Sequence, residues 1–169
     1  MYARERQRGV SLIEVLVAVL IFSIGLIGLA GLLVMATRSN QVAYLRTQAS
    51  FLASGMADRM RANPWGVWSG SYNGNYPTTT NQTCDSTSAC SPANLAVRDK
   101  FVWSNALSEF LPGVSASINC AAGGAAPADF MSRPPYGGSC VMKIFWAEQA
   151  VMGTGQAAAQ QTLSLTFQP

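Results

Sequence analysis

The hydrophobic pattern changes abruptly along the chain, and its first block is a long run without charge. From Val15 through Ala36, 22 consecutive residues carry no charged side chain. As a helix this run would be about 33 Å long at ~1.5 Å per residue, which matches the ~30 Å hydrocarbon core of a bilayer. The run therefore predicts a transmembrane helix. Glu14 lies at its edge, and an ionisable group in lipid is costly enough to mark a functional position.

A second pattern continues the helix beyond this run. Between Arg38 and Asn63, apolar residues recur at spacings of three and four, which is typical of one apolar stripe on an amphipathic helix. The stripe consists of Val42, Leu45, Ala49, Leu52, Met56 and Met60. Asn63-Pro64 ends the helix, because the residue before a proline disfavours the helical conformation. We predict one helix from about residue 10 to residue 62, whose second half packs on a globular domain.

The segment after this helix predicts a loop and then a second helix. Residues 65–91 are rich in Gly, Asn, Ser and Thr, which indicates a long loop or a short hairpin. Its aromatic residues either form a binding surface or, more commonly, anchor the loop on the core; they are Trp65, Trp68, Tyr72 and Tyr76. Ser91-Pro92 predicts the start of a helix over residues 92–110. The apolar residues at helical spacing there are Leu95, Val102, Ala106 and Phe110, with Trp103 and Leu107 alongside.

Alternating residues near the C-terminus predict strands. Segments 114–119, 141–147 and 162–167 are short and rich in strand-forming residues, and the last one places Leu163, Leu165 and Phe167 on one side. A Pro/Gly/Ala-rich loop over residues 123–138 joins the first two segments. The expected fold class is α+β, in which the long helix packs on a small antiparallel sheet.

Charge and composition narrow the function classes. The net charge is +3, from 11 basic and 8 acidic residues, and removing residues 1–9 leaves 8 basic and 7 acidic ones. Since no basic run lies outside this leader, we expect no nucleic-acid partner. Histidine, the commonest general base and metal ligand, is absent. The acidic residues of the domain follow no common spacing, so we expect no enzyme, no metal and no cofactor. They are Asp85, Asp99, Glu109, Asp129 and Glu148.

The four cysteines all follow the apolar run. They are Cys84, Cys90, Cys120 and Cys140, and no Cys-x-x-Cys pair occurs among them. An even set in an exported domain predicts disulfides formed in an oxidising compartment. Pairing 84–90 and 120–140 closes two local loops and is the preferred hypothesis, although four cysteines allow three connectivities.

The leader before the apolar run admits three interpretations. Arg4, Arg6 and Arg8 should keep it cytoplasmic, so that the C-terminal domain is exported. A cleaved secretory signal ending near Ala36 and a plain signal anchor are two of them, and neither accounts for Glu14. In the third, Arg8-Gly9 is a processing point and everything after it is a retained helix.

The residues around that point resemble a known processing signal. The segment Gly9-Val10-Ser11-Leu12-Ile13-Glu14-Val15-Leu16-Val17-Ala18 is similar to the class III signal of type IV pilins and type II secretion pseudopilins. The resemblance implies that a prepilin peptidase cleaves after Gly9 and that Val10, the new amino terminus, is N-methylated. Val10 stands where phenylalanine is usual. Glu14 then takes the family's characteristic acidic position.

Glu14 needs a partner if it stays ionised in a low-dielectric setting. Val10 and Glu14 are four residues apart and share a helix face, so the terminal ammonium of Val10 is the natural counter-ion. The resemblance implies the ammonium of a neighbouring subunit, which would make Glu14 an assembly and register device. Alternatively, Glu14 extends to the lipid headgroups. Gly25, Gly28 and Gly31 indicate either close helix packing or a segment that can stretch during assembly.

A further resemblance concerns the end of the long helix. Asp58-Arg59-Met60-Arg61-Ala62-Asn63-Pro64 is similar to the same segment of V-type minor pilins, also called type IV pilus modification proteins or PilV-like proteins. It implies a minor pilin, initiating or tip-proximal, that primes pilus assembly and supports adhesion and twitching motility. The alternative is a type II secretion minor pseudopilin of the I type. By spacing alone, Asp58 and Arg61 form an ordinary surface pair.

The resemblance also implies a domain order, partners and a location. A leader over residues 1–9 precedes a transmembrane and assembly half (10–36), an amphipathic half (37–63) and an exported head (64–169). The expected partners are the prepilin peptidase, other minor pilins, the major pilin, the inner-membrane assembly platform and membrane lipid. The expected location is the bacterial inner membrane, with the N-terminus cytoplasmic and the head periplasmic, and later the pilus surface.

Overall fold

The structure is a computed structural model and describes residues 9–85, 87, 89–128, 135–148 and 159–169. Most of the predicted leader, residues 1–8 with its arginines, lies outside the described residues. The chain divides into two compact units, residues 1–41 and 42–169. We call the second unit the head.

The long helix α1 runs from Leu12 to Ala62. Its second half uses the predicted stripe: Leu45, Ala49, Leu52, Met56 and Met60 are buried in the core of the head. This arrangement confirms the α+β, type IV pilin-like fold with a long helix against a small sheet. The helix ends at Ala62 as expected, because Pro64 follows Asn63.

The segment after α1 is more ordered than a plain loop. Pro64 to Trp68 form a short helix α2, with the Asn63 side chain accepting the Gly66 N–H at 3.2 Å as its cap. Gly74 to Tyr76 form strand β1. The prediction of a long loop or a short hairpin over residues 65–91 was therefore wrong at α2, which the Asn63 cap begins. Strand β1 is present, but its partner is the distant strand that follows α3 and not a neighbouring strand of a hairpin.

Helix α3 spans Pro92–Phe110 and begins at the Ser91 cap, whose hydroxyl accepts the Asn94 N–H at 3.3 Å. Its buried face differs from the predicted stripe. Trp103 and Leu107 are buried, whereas Val102 and Phe110 are 39% and 40% exposed. Two apolar stripes lie side by side on α3, and only the one centred on Trp103 faces the core.

Three more strands complete the sheet within the described residues: β2 (Ser115–Ala121), β3 (Ser139–Ala147) and β4 (Gln160–Phe167). All neighbours pair antiparallel in the order β1-β2-β3-β4. The predicted strands were thus placed correctly, each within two residues of its observed ends. One face packs inward through residues that include Ile118, Met142 and Ile144, all buried. The other face is open to solvent.

Candidate functional site

The N-terminal segment begins α1 at the predicted processing point. The Ser11 carbonyl accepts the backbone N–H groups of Glu14 at 3.0 Å and Val15 at 3.3 Å, which makes Ser11 the first residue to enter the helical hydrogen bonding. Gly9 and Val10 precede the helix and are exposed. Glu14 lies in the first turn, where the positive end of the helix dipole favours a carboxylate.

The carboxylate of Glu14 has no partner in the described part of the chain. The side chain is exposed, and no ion pair or side-chain hydrogen bond joins it to any described residue. The helix dipole alone is worth only about 0.3–1 kcal/mol for an exposed charge. A stronger partner for this carboxylate must therefore come from outside the described residues.

The apolar half of α1 is exposed among the described residues. An 18-residue window in this helix has a mean hydropathy of 2.8 with none of it buried, so by length and composition the helix could cross a membrane. In this half the Ser23 hydroxyl donates to the Val19 carbonyl at 2.7 Å. Directly after it, the Thr37 hydroxyl donates to the Val34 carbonyl at 2.9 Å. Such hydrogen bonds within the helix suit a lipid environment, where unpaired polar groups are costly.

The glycines of this half face open space. A Cβ added at Gly25, Gly28 or Gly31 would meet no atom within 4 Å. Close packing at these glycines would therefore need another molecule. Both interpretations of the glycines, close helix packing and a segment that can stretch, stay predictions.

The head contains a buried polar network that joins α1, α2 and α3. Asp99 on α3, only 6% exposed, accepts from Arg59 Nη1 at 2.9 Å and from the Tyr72 hydroxyl at 2.7 Å. Asn63 Nδ2 donates to the Tyr72 hydroxyl at 3.1 Å and to the Pro92 carbonyl at 2.8 Å. Burial, followed by the hydrogen bond to Asp99, raises the pKa of Tyr72 far above its usual range. The network holds the C-terminal end of α1 to the start of α3.

Sequence reasoning missed this network. The expected surface pair between Asp58 and Arg61 is present at 2.9 Å and is exposed. Asp99 counted only as one of several scattered acids. The available signal was its position four residues before Trp103, on the apolar face of an amphipathic helix, where a carboxylate needs a partner.

The other sequence-predicted residues of the head are placed as follows. Cys84 is bonded to Cys90, and Cys120 on β2 is bonded to Cys140, which faces it in register on β3. Tyr72 and Tyr76 are buried in the core, whereas Trp65 and Trp68 are half-buried. The two buried aromatic side chains therefore anchor the segment on the core, which was the commoner of the two alternatives.

The acidic residues of the head do not converge. Among the described residues no group of three or more His, Cys, Asp or Glu side chains could hold a metal ion. Asp99 belongs to the network, and Asp129 lies outside the described residues. The described part of the chain thus combines a head that contains a buried polar network with an exposed, apolar N-terminal helix.

Comparison with known families agrees with this arrangement. Residues 4–30 match the family model of the prokaryotic N-terminal methylation motif, and residues 31–101 match the model of type IV pilin Tt1218. No curated protein and no solved structure matches the chain. The two family matches, together with the long helix against a small antiparallel sheet, show that the chain carries a prokaryotic N-terminal methylation motif and has a type IV pilin-like fold.

Proposed function

We propose that this protein is a minor type IV pilin, initiating or tip-proximal, that primes pilus assembly. The observation that carries the proposal is Glu14: its carboxylate is unpaired within the described residues, in the first turn of an exposed apolar helix. Gly9 and Glu14 both lie in the segment 4–30 that matches the N-terminal methylation motif. A prepilin peptidase cleaves after Gly9 on the cytoplasmic side, and Val10 becomes the N-methylated amino terminus.

Processing creates a positive charge that can pair with the Glu14 carboxylate. Cleavage after Gly9 leaves an ammonium on Val10, which is not a charged group in the uncleaved chain. In a low-dielectric setting two opposite charges in contact attract far more strongly than in water. The ammonium of a neighbouring subunit then pairs with Glu14 and sets the axial register between the two helices.

The segment at the end of α1 supports a minor pilin in a pilus. The segment 58–64, whose sequence resembles V-type minor pilins, contributes Arg59 and Asn63 to the head network. The processed protein is held in the inner membrane with its head in the periplasm, joins other minor pilins and the major pilin on the assembly platform, and reaches the pilus surface. Adhesion and twitching motility depend on the pili that it primes.

The second candidate is a type II secretion minor pseudopilin of the I type, because its processing signal has the same form. Neighbouring genes distinguish the two systems. Pilus subunit and assembly genes beside this one support the proposal, whereas secretion-channel genes support the pseudopilin.

Mass spectrometry tests the processing step. The full-length chain is expressed with and without a prepilin peptidase. We expect the peptidase to remove residues 1–9 and to leave a methylated Val10. An intact leader, or cleavage near Ala36, would contradict the assignment.

The Glu14→Ala variant tests the register role. We expect normal processing, because Glu14 is not at the cleaved bond, but poor incorporation into pili. Loss of a charge-assisted contact of about 2–3 kcal/mol corresponds to a roughly 30- to 150-fold weaker association. Glu109→Ala, an exposed acid of the head, is the matched control and should incorporate normally. Normal incorporation of Glu14→Ala would remove the register role.

A further inference from the structure

The outer face of the sheet carries one cation among neutral polar groups. The strand register places Asn75, Ser117, Lys143 and Ser164 in one row across all four strands. A second row joins Asn119, Val141 and Thr166. No aspartate or glutamate occurs in any of the described strands, so Lys143, which is exposed, has no counter-charge from the strands of this face.

These polar side chains are unused within the described part of the chain. No hydrogen bond or ion pair to a described residue involves the Lys143 ammonium, the Ser117 or Ser164 hydroxyl, or the Asn119 amide. By contrast, Asp99 and Asn63 inside the head take part in several hydrogen bonds. The donors and acceptors of the outer face are therefore free to meet a ligand.

The face is also concave at this place. An open trough of about 410 Å³ lies over strands β2 and β3. Its lining consists of Ser117, Asn119, Ala121, Ser139, Val141 and Lys143. The small side chains at Ser117, Ala121 and Ser139 form its floor, because nothing bulky projects from those positions. Neighbouring strands are about 4.8 Å apart, so the row from Ser117 to Ser164 spans about 10 Å.

The outer face has one positive charge and several neutral polar groups, and this composition indicates which class of ligand it could bind. A nucleic acid requires several cations to displace its counterions, and this face has one. A single ammonium beside hydroxyl and amide groups instead fits a ligand with one anionic group and several hydroxyls. We propose that the outer face of the β2–β3 sheet binds an acidic sugar unit of an extracellular polysaccharide, with Lys143 on its carboxylate and Ser117 and Asn119 on its hydroxyls.

The use of this surface for attachment rests on the proposed function, since only a pilus would present the head outside the cell. Binding itself does not depend on it. Failure of the binding experiment would leave cleavage after Gly9 and incorporation through Glu14 untouched, so the two proposals can fail separately.

The two lysines of the chain give a direct probe. Lys100 lies on α3 and Lys143 on the outer face, and the chain contains no other lysine. Reductive methylation with ¹³C-formaldehyde keeps their charge and labels both in the full-length protein in uncharged detergent. We expect oligogalacturonate to shift the Lys143 signal with a Kd of about 1 mM and to leave Lys100 in place. The methyl ester of the same oligosaccharide, which is uncharged, should shift neither.

Four outcomes of this experiment would overturn the proposal. Three of them are equal shifts of Lys100 and Lys143, an equal or stronger effect of a single-stranded oligodeoxynucleotide, and no shift of Lys143 with oligogalacturonate. The fourth is equal binding of the methyl ester, because the carboxylate would then have no role.

Variants separate the charge from the shape of the trough. Lys143→Gln should weaken oligogalacturonate binding, measured by calorimetry, about tenfold through the loss of one charge-assisted contact. Lys100→Gln is the matched control and should bind as the native chain does. Ser117→Leu fills the floor of the trough and should weaken binding while Lys143 keeps its charge. Unchanged binding in both Lys143→Gln and Ser117→Leu would contradict the assignment.

Discussion

Glu14 and Asp99 are both carboxylates on helices, and they differ in where their partners come from. Asp99 is buried in the head and accepts from Arg59 and Tyr72 of the same chain. Glu14 is exposed and has no partner among the described residues. Folding provides the partners of Asp99, whereas the described residues provide none for Glu14.

The same contrast holds for the apolar surface of α1. The stripe of its second half, including Met56, is covered by the head's own sheet and α3. Its first half leaves large side chains such as Phe22 exposed at 66%. A residue's contribution to stability should therefore depend on which half it occupies, although both halves belong to one continuous helix.

The largest expected effect is on the core. Met56→Ala removes a fully buried side chain, and we expect the free energy of unfolding to fall by about 2–5 kcal/mol because a cavity remains. Phe22→Ala, in the exposed half, should change it by less than about 0.5 kcal/mol. Urea unfolding of the full chain in detergent, followed by tryptophan fluorescence, measures both. Equal losses would show that the first half also depends on intrachain packing.

The buried network should show the next largest effect. Asp99→Asn keeps the shape but removes the charge that Arg59 pairs with, and we expect a loss of about 1.5–3 kcal/mol. Asp58→Asn breaks the exposed pair with Arg61 and should cost no more than about 0.5 kcal/mol. If the two variants were equally stable, the network would not hold α1 to α3.

High pH should weaken the head through its buried phenols. Burial raises the pKa of Tyr72 and Tyr76, so both keep their protons in the folded head while the unfolded chain loses them above about pH 10. Their contribution is complete below about pH 10 and is lost as the pH rises further, at about 1.4 kcal/mol per pH unit for each phenol. Tyr76→Phe should lower that slope by about 1.4 kcal/mol per pH unit in urea unfolding, because it removes one of the buried phenols. An unchanged slope would mean that Tyr76 does not titrate with unfolding.

The smallest expected effect on stability is at Glu14. Glu14→Ala should leave the free energy of unfolding of the head within about 0.5 kcal/mol of the native value, because it breaks no contact with a described residue. Urea unfolding of the variant measures this value, which contrasts with the incorporation defect expected for the same substitution. A large loss of stability would mean that Glu14 acts within its own chain and not between subunits.

Local sequence patterns predicted the positions of helices and strands better than they predicted which helix face is buried. The second helix lies over residues 92–110 as expected, because Ser91 and Pro92 determine its start without help from distant residues. Its buried face was misplaced, since Val102 and Trp103 are adjacent apolar residues and periodicity cannot say which one meets α1. The structure decides it through Trp103 Nε1, which donates to the Leu52 carbonyl at 2.9 Å.

The candidate functional residues also differ in whether the local sequence could predict them. Gly9, Val10 and Glu14 form a linear motif, so their proposed roles follow from spacing along the chain. Strand β1 could not be predicted, since its three residues Gly74–Tyr76 become a strand only by pairing with β2, some 40 residues later. The row that contains Lys143 and Ser117 likewise depends on register.

The sequence by itself determined the long helix, its apolar half, the processing motif and the positions of α3 and three strands, because each depends on residues close along the chain. Only the tertiary structure decided the partners of Asp99 and the outer face around Lys143. Arg59 and Tyr72 are 40 and 27 residues away from Asp99 in sequence. Local periodicity carries no information about such distant contacts, since they exist only after the elements have packed.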